Sequence, residues 1–363
     1  MSCAQLQLTT SLMTIKDKDI VVGPDQRGFN PEPNYDSRFP VLVPTSPSAP
    51  PEGLRNRQSS YARLKGPNSN EVLSQLASLN SVLLHQDVNR LEAITCGCVE
   101  QQNIYRVLHP ETEETLLIAR ENSETWPRVC CDPHQSLFLE IALPATPTSS
   151  EEVLYTAERQ GCCGAKPCLV CCACTDSCTD AMTLHEGRLE GKPGELRAPR
   201  PLLMMRQEKA FESPWKPKLE VMPIDQSGFE QSATHHITGP ACFGGCCELC
   251  TESEWEVNGL GGENMGLIKK LRPKDAKAFA REFGTDADRY SVEFGPSDDA
   301  LTKLSTVVST LLLDYMFFEH DLGICRPKWN GGCETTICNW YLCGMTCPCK
   351  CSTGDKNNNN SWN

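Results

Sequence analysis

The residues best able to do chemistry in this sequence are its cysteines. The chain holds 23 of them, and most fall in clusters. Cys168, Cys171, Cys172, Cys174 and Cys178 form the run CLVCCACTDSC. Cys242, Cys246, Cys247 and Cys250 form CFGGCCELC, and Cys347, Cys349 and Cys351 form CPCKC. Two chemistries suit such groups. On an exposed loop beside a membrane, dense thiols suit S-acylation with palmitate. Each buried methylene contributes about 0.8 kcal/mol, and one chain anchors only marginally, so several acceptors together make sense where one would not. Alternatively, Cys168-x-x-Cys171 with Cys247-x-x-Cys250 supplies four thiolates for zinc, with Cys242 and Cys246 as further ligands. Unmodified thiols are the third reading. CPCKC suits either chemistry, and neither is assigned to it.

Motifs for covalent catalysis do not stand out. There is no Ser/His/Asp order, phosphate-cradling loop or paired-carboxylate motif. His235 and His236 are adjacent in a strand-like run, so they point to opposite faces. A thiol-redox enzyme would need a βαβ setting for its C-x-x-C, and none is visible. Lipid or protein binding without covalent chemistry is the expectation.

The formal net charge of -13 gives no long-range pull toward nucleic acid or anionic lipid. Membrane attachment must therefore come from local features. MSCAQLQLTTSLMTIKDKD lacks the basic start and apolar run of a secretory signal. No unbroken apolar stretch of about 20 residues offers a simple span. A cytosolic setting follows, with thiols mostly reduced or ligated.

These groups need elements to position them. Residues 1–60, with Pro31, Pro33, Pro40, Pro44, Pro47, Pro50 and Pro51, read as a disordered arm. The spacing Pro44-x-x-Pro47-x-x-Pro50 suits an SH3-type groove or a plain linker. In NSNEVLSQLASLNSVLLHQD, apolar residues at Val72, Leu73, Leu76, Leu79, Leu83 and Leu84 keep helical period, started by Asn68 or Ser69. Short runs rich in branched and aromatic residues follow: IYRVLHP, ETLLIAR and SLFLEIAL, then KLEVMPI, ATHHITG, EWEVNG, MGLIKKL and RYSVEF. Many strands without alternating helices predict an all-β sheet that closes or sandwiches. Residues 179–217 read as a long surface loop. Residues 321–363 read as a Cys- and Asn-rich tail, loose at Asn357–Asn360.

Four stretches, in order, resemble the phospholipid scramblases: SQLASLNSVLLHQDVNRLEAITCGCVEQQNIYRV, CLVCCACTDSC, ITGPACFGGCCELC, and GTDADRYSVEF followed by LLLDYMFFE. The last is the most specific. The resemblance covers residues 61–320 and leaves out the arm and the tail. It implies a mainly β, tubby-like fold: a closed antiparallel barrel threaded by a central hydrophobic helix. It implies calcium-dependent, bidirectional, ATP-independent movement of phospholipids between membrane leaflets. It also carries acylation onto the five cysteines from Cys168 to Cys178, and a calcium loop onto the segment around Asp286 and Asp288, with Asp298 beyond. That segment departs from an EF-hand: Ser291 stands where Gly is expected, and no bidentate Glu closes it. Alternation through Tyr290, Val292 and Phe294 reads as a strand, so Asp286-Ala-Asp288 also reads as the turn into it.

The segment Leu301–Phe318 decides the topology. It is at the short edge for a span, and Lys303 and Asp314 each cost about 2.5–3.5 kcal/mol at mid-membrane. Leu301, Leu304, Val308, Leu312 and Phe317 lie on most of its faces, which favours burial inside the barrel over a single-pass span. The run Lys269, Lys270, Arg272 and Lys274 reads as a solvated strand end, a contact for anionic headgroups, or a nuclear import signal. The expected protein works on phospholipid membranes, at the cytosolic face of the plasma membrane or another membrane, as a monomer or homo-oligomer. The rival is an acyl-anchored adaptor or nuclear regulator, its arm bound to SH3-type domains. Nucleic acid is disfavoured by the acidic balance.

Overall fold

Alternation between a buried and a solvated face turns most of this chain into strands, and those strands close on themselves. The computed structural model describes residues 67–87, 102–122, 136–145, 152–159, 173, 175–176, 178–190, 200–249, 251–272, 288–296, 298–318, 326–328 and 332–353. Helix α1 (Pro67–Ser78) precedes β1 (Ser81–Gln86). Then come β2 (Ile104–Leu108), β3 (Thr115–Asn122), β4 (Leu137–Ala142), β5 (Val153–Arg159) and β6 (Ala181–Glu186). They are followed by β7 (Pro201–Gln207), β8 (Lys218–Pro223), β9 (His235–Thr238), the short β10 (Cys242–Phe243) and a 3-10 turn (Gly245–Leu249). Strands β11 (Ser253–Gly259), β12 (Asn264–Lys270) and β13 (Arg289–Phe294) lead to helix α2 (Ala300–Phe317). The chain then adds β14 (Arg326–Lys328), β15 (Gly332–Leu342) and β16 (Met345–Thr353).

Every described strand from β1 to β13 except β10 joins one closed antiparallel barrel. Closure is made by β1, which pairs with β13 on one side (Val82 opposite Val292) and β2 on the other (Leu84 opposite Val107). A closed barrel leaves no unpaired edge. Strand β11 shows the patterning: Ser253, Trp255 and Val257 are buried, while Glu254 and Glu256 face water. In β13, Tyr290, Val292 and Phe294 point inward.

Helix α2 runs inside this barrel. Leu301, Leu304, Val308, Leu312 and Phe317 are all buried, and so are Lys303, Asp314 and most residues between. Its side chains reach several barrel strands: Asp314 to β2 and β13, Tyr315 to β3, and Ser305 to β9. A helix apolar on all faces with a sheet wrapped around it satisfies both. No described helix is long and apolar enough to cross a membrane. The central-helix expectation therefore holds over the spanning one.

Three sequence expectations need correction. The long N-terminal helix ends at Ser78, and Ser81–Gln86 is a barrel strand. Leu83 and Leu84 fit helical period, but in the structure Val82 and Leu84 point inward while Leu83 lies on the other face. Residues 179–217 are not one loop: they contribute β6 (AMTLHE) and β7 (PLLMMRQ). These strands were hidden because they use Met and Leu rather than branched residues, and because β7 starts with a proline, tolerated at a strand's first position. Finally, part of the tail is structured: β15 and β16 form a long hairpin. The N-terminal arm and the Asn-rich end lie outside the described residues.

Candidate functional site

Antiparallel neighbours alternate in direction, so the β5–β6, β7–β8, β9–β11 and β12–β13 connections all emerge at one end of the barrel. Several of the described residues singled out from the sequence lie at that end. Cys178 is on the β5–β6 connection, Cys242 to Cys247 on the β9–β11 connection, and Asp288 at the foot of β13. Helix α2 enters from the opposite end and brings its C-terminus here.

The base of the β5–β6 connection is pinned. Buried Arg159, the last residue of β5, holds Asp180 at 2.9 Å just before β6. Lys209 pairs with Asp176 at 3.1 Å, and Ala210 N–H donates to the Ala173 carbonyl at 2.7 Å. Cys178 is free and half-buried there. Cys168, Cys171, Cys172 and Cys174 lie outside the described residues. On the neighbouring β7–β8 connection, Phe211 and Trp215 are exposed at 78% and 69%, and Trp340 of β15 at 53%. Leu342 and Met345, flanking the β15–β16 turn, are exposed as well. The turn itself is Cys343-Gly344, both at positive φ (48° and 82°), the requirement of a tight two-residue hairpin. Its Cys343 N–H donates to the Pro214 carbonyl at 2.8 Å. A Cβ on Gly344 would meet the Ala173 backbone, so glycine is needed for this close approach. The apolar rim, the hairpin turn and the root of the cysteine-bearing loop are thus one surface. Phe229 and Leu260, also exposed, sit singly at the opposite end.

Beneath that surface lies an ion cluster built on buried Lys270 and Asp314. Lys270 of β12 pairs with Asp288 at 2.9 Å and Glu248 at 3.1 Å. Its ammonium rests 3.9 Å from the centre of the Phe318 ring, a cation–π contact. Asp314 of α2 accepts from Tyr105 at 2.6 Å and from Tyr290 in a very short bond. Three carboxylates thus surround one ammonium. Burial by itself would discharge Lys270, but Asp288, Glu248 and Asp314 outweigh it and raise its pKa. Burial also pushes the Asp288 carboxyl up, to about 7; Lys270 opposes this and Asp314 reinforces it. Burial, with Asp288 and Asp314, keeps Tyr290 protonated and so a donor. Above the cluster, Phe243, Trp255, Phe317 and Phe318 pack with ring centres 5.1–6.3 Å apart and close the barrel end. Gly239 belongs to this plug, since a Cβ there would enter the Trp255 ring.

The described carboxylates do not form a calcium cage. Asp288 is engaged by Lys270 and Tyr290. Asp298 lies beyond the far end of β13, where it accepts from Gly295 N–H at 2.9 Å. The intervening strand holds them roughly 20 Å apart at about 3.4 Å per residue. Asp299 caps α2 by accepting from Thr302 N–H. Asp286 lies outside the described residues. The basic run is dispersed too: Lys270 is internal, Lys269 pairs with Glu293 at 3.3 Å, and Arg272 faces Glu252 at 3.8 Å.

Of the second cysteine cluster, Cys242 and Cys247 converge, but on Cys338 of β15 rather than on Cys246. Cys250 lies outside the described residues. Burial pushes the Cys242 and Cys247 thiols up, and Cys338 to about 11. Cys338 was not legible as a partner, because only the pairing of β10 with β15 brings it there.

With this geometry in hand, comparison with known proteins is informative. A sequence profile of the Scramblase family matches residues 60–320. The chain belongs to that family. It is 26% identical to human phospholipid scramblase 1 over 247 residues, 68% of this chain and 65% of that protein. It is also 26% identical to human phospholipid scramblase 2 over 304 residues, 84% of each chain. Human phospholipid scramblase family member 5 is 25% identical over 251 residues, 69% of this chain and 78% of that protein. The chain thus spans just under two thirds of the scramblase 1 length. No solved structure matches the chain.

Proposed function

We propose that this chain is a phospholipid scramblase, docked by one barrel end at the cytosolic face of a membrane, moving phospholipids both ways between leaflets without ATP or covalent chemistry. Family membership supports the activity. The carrying observation for the mode of docking is the convergence of the Cys178 loop with exposed Phe211, Trp215 and Trp340 on one end. Aromatic residues seat well at a bilayer interface, and palmitates on Cys168, Cys171, Cys172, Cys174 and Cys178 would add the second anchor that stable attachment needs.

The barrel interior constrains the route. Helix α2 fills it, with Val308 and Leu312 at zero exposure. Lipid therefore cannot pass through the lumen. Headgroups would have to cross along the outer surface or through a bilayer disturbed by the docked end and its acyl chains. Calcium control is a separable part of the proposal. It rests on Asp286, since Asp288 is already held by Lys270.

A filled barrel equally favours a second reading, an acyl-anchored adaptor on the same fold. One experiment decides between them. Purified acylated protein is placed in liposomes carrying a fluorescent phospholipid, with and without calcium, beside Asp286→Ala and a Phe211→Ser/Trp215→Ser variant. The scramblase reading expects lipid transfer in the parent, reduced in the rim variant, with a calcium response lost in Asp286→Ala. Folded, membrane-bound parent protein that moves no lipid in either condition would leave the adaptor.

A further inference from the structure

The C-terminal hairpin poses a stability problem that points to a ligand. Strand β16 is exposed at every one of its nine residues and, among the described strands, pairs only with β15. Its partner β15 also pairs with β10 and β14, and it buries Cys338, Asn339 and Tyr341, so β16 is the weakly held edge of a small four-stranded sheet. Yet the hairpin carries Trp340 and Leu342 and packs its turn on the β5–β6 root. Something beyond apolar burial should hold it.

The thiols lie where such a tie belongs. The Sγ atoms of Cys242, Cys247 and Cys338 are all within 4.8 Å of one another, and all three thiols are free. They come from three elements: β10, the 3-10 turn and β15. The strand registers show why they meet. Cys242 lies opposite Trp340, and Cys338 is two residues before Trp340, so both cysteines share one face of the sheet. Cys349 of β16 is the direct partner of Cys338 and shares that face too. A tetrahedral zinc with Zn–S of about 2.3 Å sets sulfurs about 3.8 Å apart, close to the spacing of the Cys242, Cys247 and Cys338 sulfurs; Cys349 is brought beside them by strand register and would turn in to complete the shell.

We propose that Cys242, Cys247, Cys338 and Cys349 bind one thiophilic metal ion of the zinc type, tying the C-terminal hairpin to the end of the barrel. The ion is redox-inert and its four-thiolate shell is closed, so its role is structural. The site joins the Scramblase region to residues beyond it: Cys242 and Cys247 lie within the matched 60–320, while Cys338 and Cys349 do not. Cys333, nearby on β15, is disulfide-bonded and is not a ligand.

The test needs no lipid assay, so it stands apart from the scramblase reading. Full-length protein, fully reduced under anaerobic conditions and stripped of metal, is titrated with cobalt(II) and then zinc. The expected result is about one equivalent bound, with intense thiolate-to-cobalt charge transfer and tetrahedral visible bands that zinc abolishes. Cys338→Ser should lose the bands, and Cys178→Ser should keep them. Because Cys338 is buried, Cys242→Ser/Cys247→Ser, at half-exposed positions, gives an independent loss with circular dichroism unchanged. Absence of a cobalt–thiolate band in the reduced parent would overturn the proposal, as would a band that survives both variants.

Discussion

The barrel and the C-terminal hairpin are both antiparallel β-structure, yet they are held by different forces. Each barrel strand presents a buried face to α2, and closure leaves no edge. Its core includes fully buried Val82, Leu84, Tyr105, Leu139, Val257 and Val292. Each such side chain contributes about 1.5–3 kcal/mol relative to exposure. In the hairpin, β15 buries Cys338, Asn339 and Tyr341, and β16 buries nothing. The hairpin's described contacts are fewer: pairing of β15 with β10 and β14, Tyr341 packed on Phe317, the Tyr341 and Cys343 amides on Ala241 and Pro214, and the proposed tie at the thiol cluster. Burial is distributed and tolerant, whereas the hairpin depends on few groups. The two regions should fail under different insults.

The largest effect is expected where the barrel departs from an apolar core. Lys270→Met leaves half-buried Asp288 and Glu248 without their cation, and removing one member of a fully buried pair costs about 3–5 kcal/mol, an upper bound here. Urea unfolding at pH 7 should show that loss, and at pH 5 a smaller one, since Asp288 then takes a proton. An equal loss at both pH values would mean that Asp288 is not part of the penalty. Next comes Leu312→Ala, a cavity among fully buried neighbours, at about 2–5 kcal/mol. In the hairpin, Lys350→Ala removes a partly exposed pair with Glu334 and should cost well under 1 kcal/mol. If the hairpin substitution rivals Leu312→Ala, the contrast between the regions is wrong.

The same contrast explains what could be read from the sequence. Where burial sets the structure, alternation announces it: RYSVEF and EWEVNG were legible as strands, and Leu301–Phe318 as a helix hidden on all sides. Strands β6 and β7 were not, because Met-rich runs between polar stretches carry weak strand preference, and only pairing with β5 and β8 on either side selects it. The end-surface was legible in its parts but not in its assembly. Cys178 and Cys242 were singled out by type and spacing and Asp288 by the family resemblance, but only strand direction puts them at one end. Asp288 illustrates the limit most clearly. The resemblance made it a metal ligand, while its surroundings make it the partner of Lys270, a residue that read as solvated.

Protonation sharpens the comparison within the barrel itself, because two of its interior titrating groups have opposite signs. Asp288 is raised above its unfolded value, to about 7. Its contribution is therefore full below about pH 4 and is lost as pH rises through 7. His235, near the start of α2, is lowered to about 4, chiefly by burial. Its contribution is present above about pH 6.5 and lost as pH falls through 4. Between these limits the two oppose each other, and the parent's Tm should vary little. Asp288→Asn removes one of them, so its Tm should rise by several degrees from pH 4 to pH 6.5. A flat profile in that variant would mean that His235 is not held neutral by the fold.

The smallest effect on global stability, and the most selective, is expected from metal removal. A high-affinity zinc chelator under reducing conditions should leave the barrel's Tm within about 2 °C, since no thiol is part of its apolar core. It should nevertheless release β15 and β16. Limited proteolysis read by mass spectrometry should then show cleavage within residues 332–353 at least tenfold faster, while residues 201–259 stay protected. Zinc should reverse the change in the parent and not in Cys242→Ser/Cys247→Ser. Release of the hairpin also takes Trp340 away from Phe211 and Trp215, so the chelated protein should bind anionic liposomes more weakly even before acylation. Equal protection with and without chelator would mean that the Tyr341 and Cys343 backbone contacts suffice to hold the hairpin. Simultaneous loss of both regions would mean that the hairpin is part of the barrel's own cooperative unit.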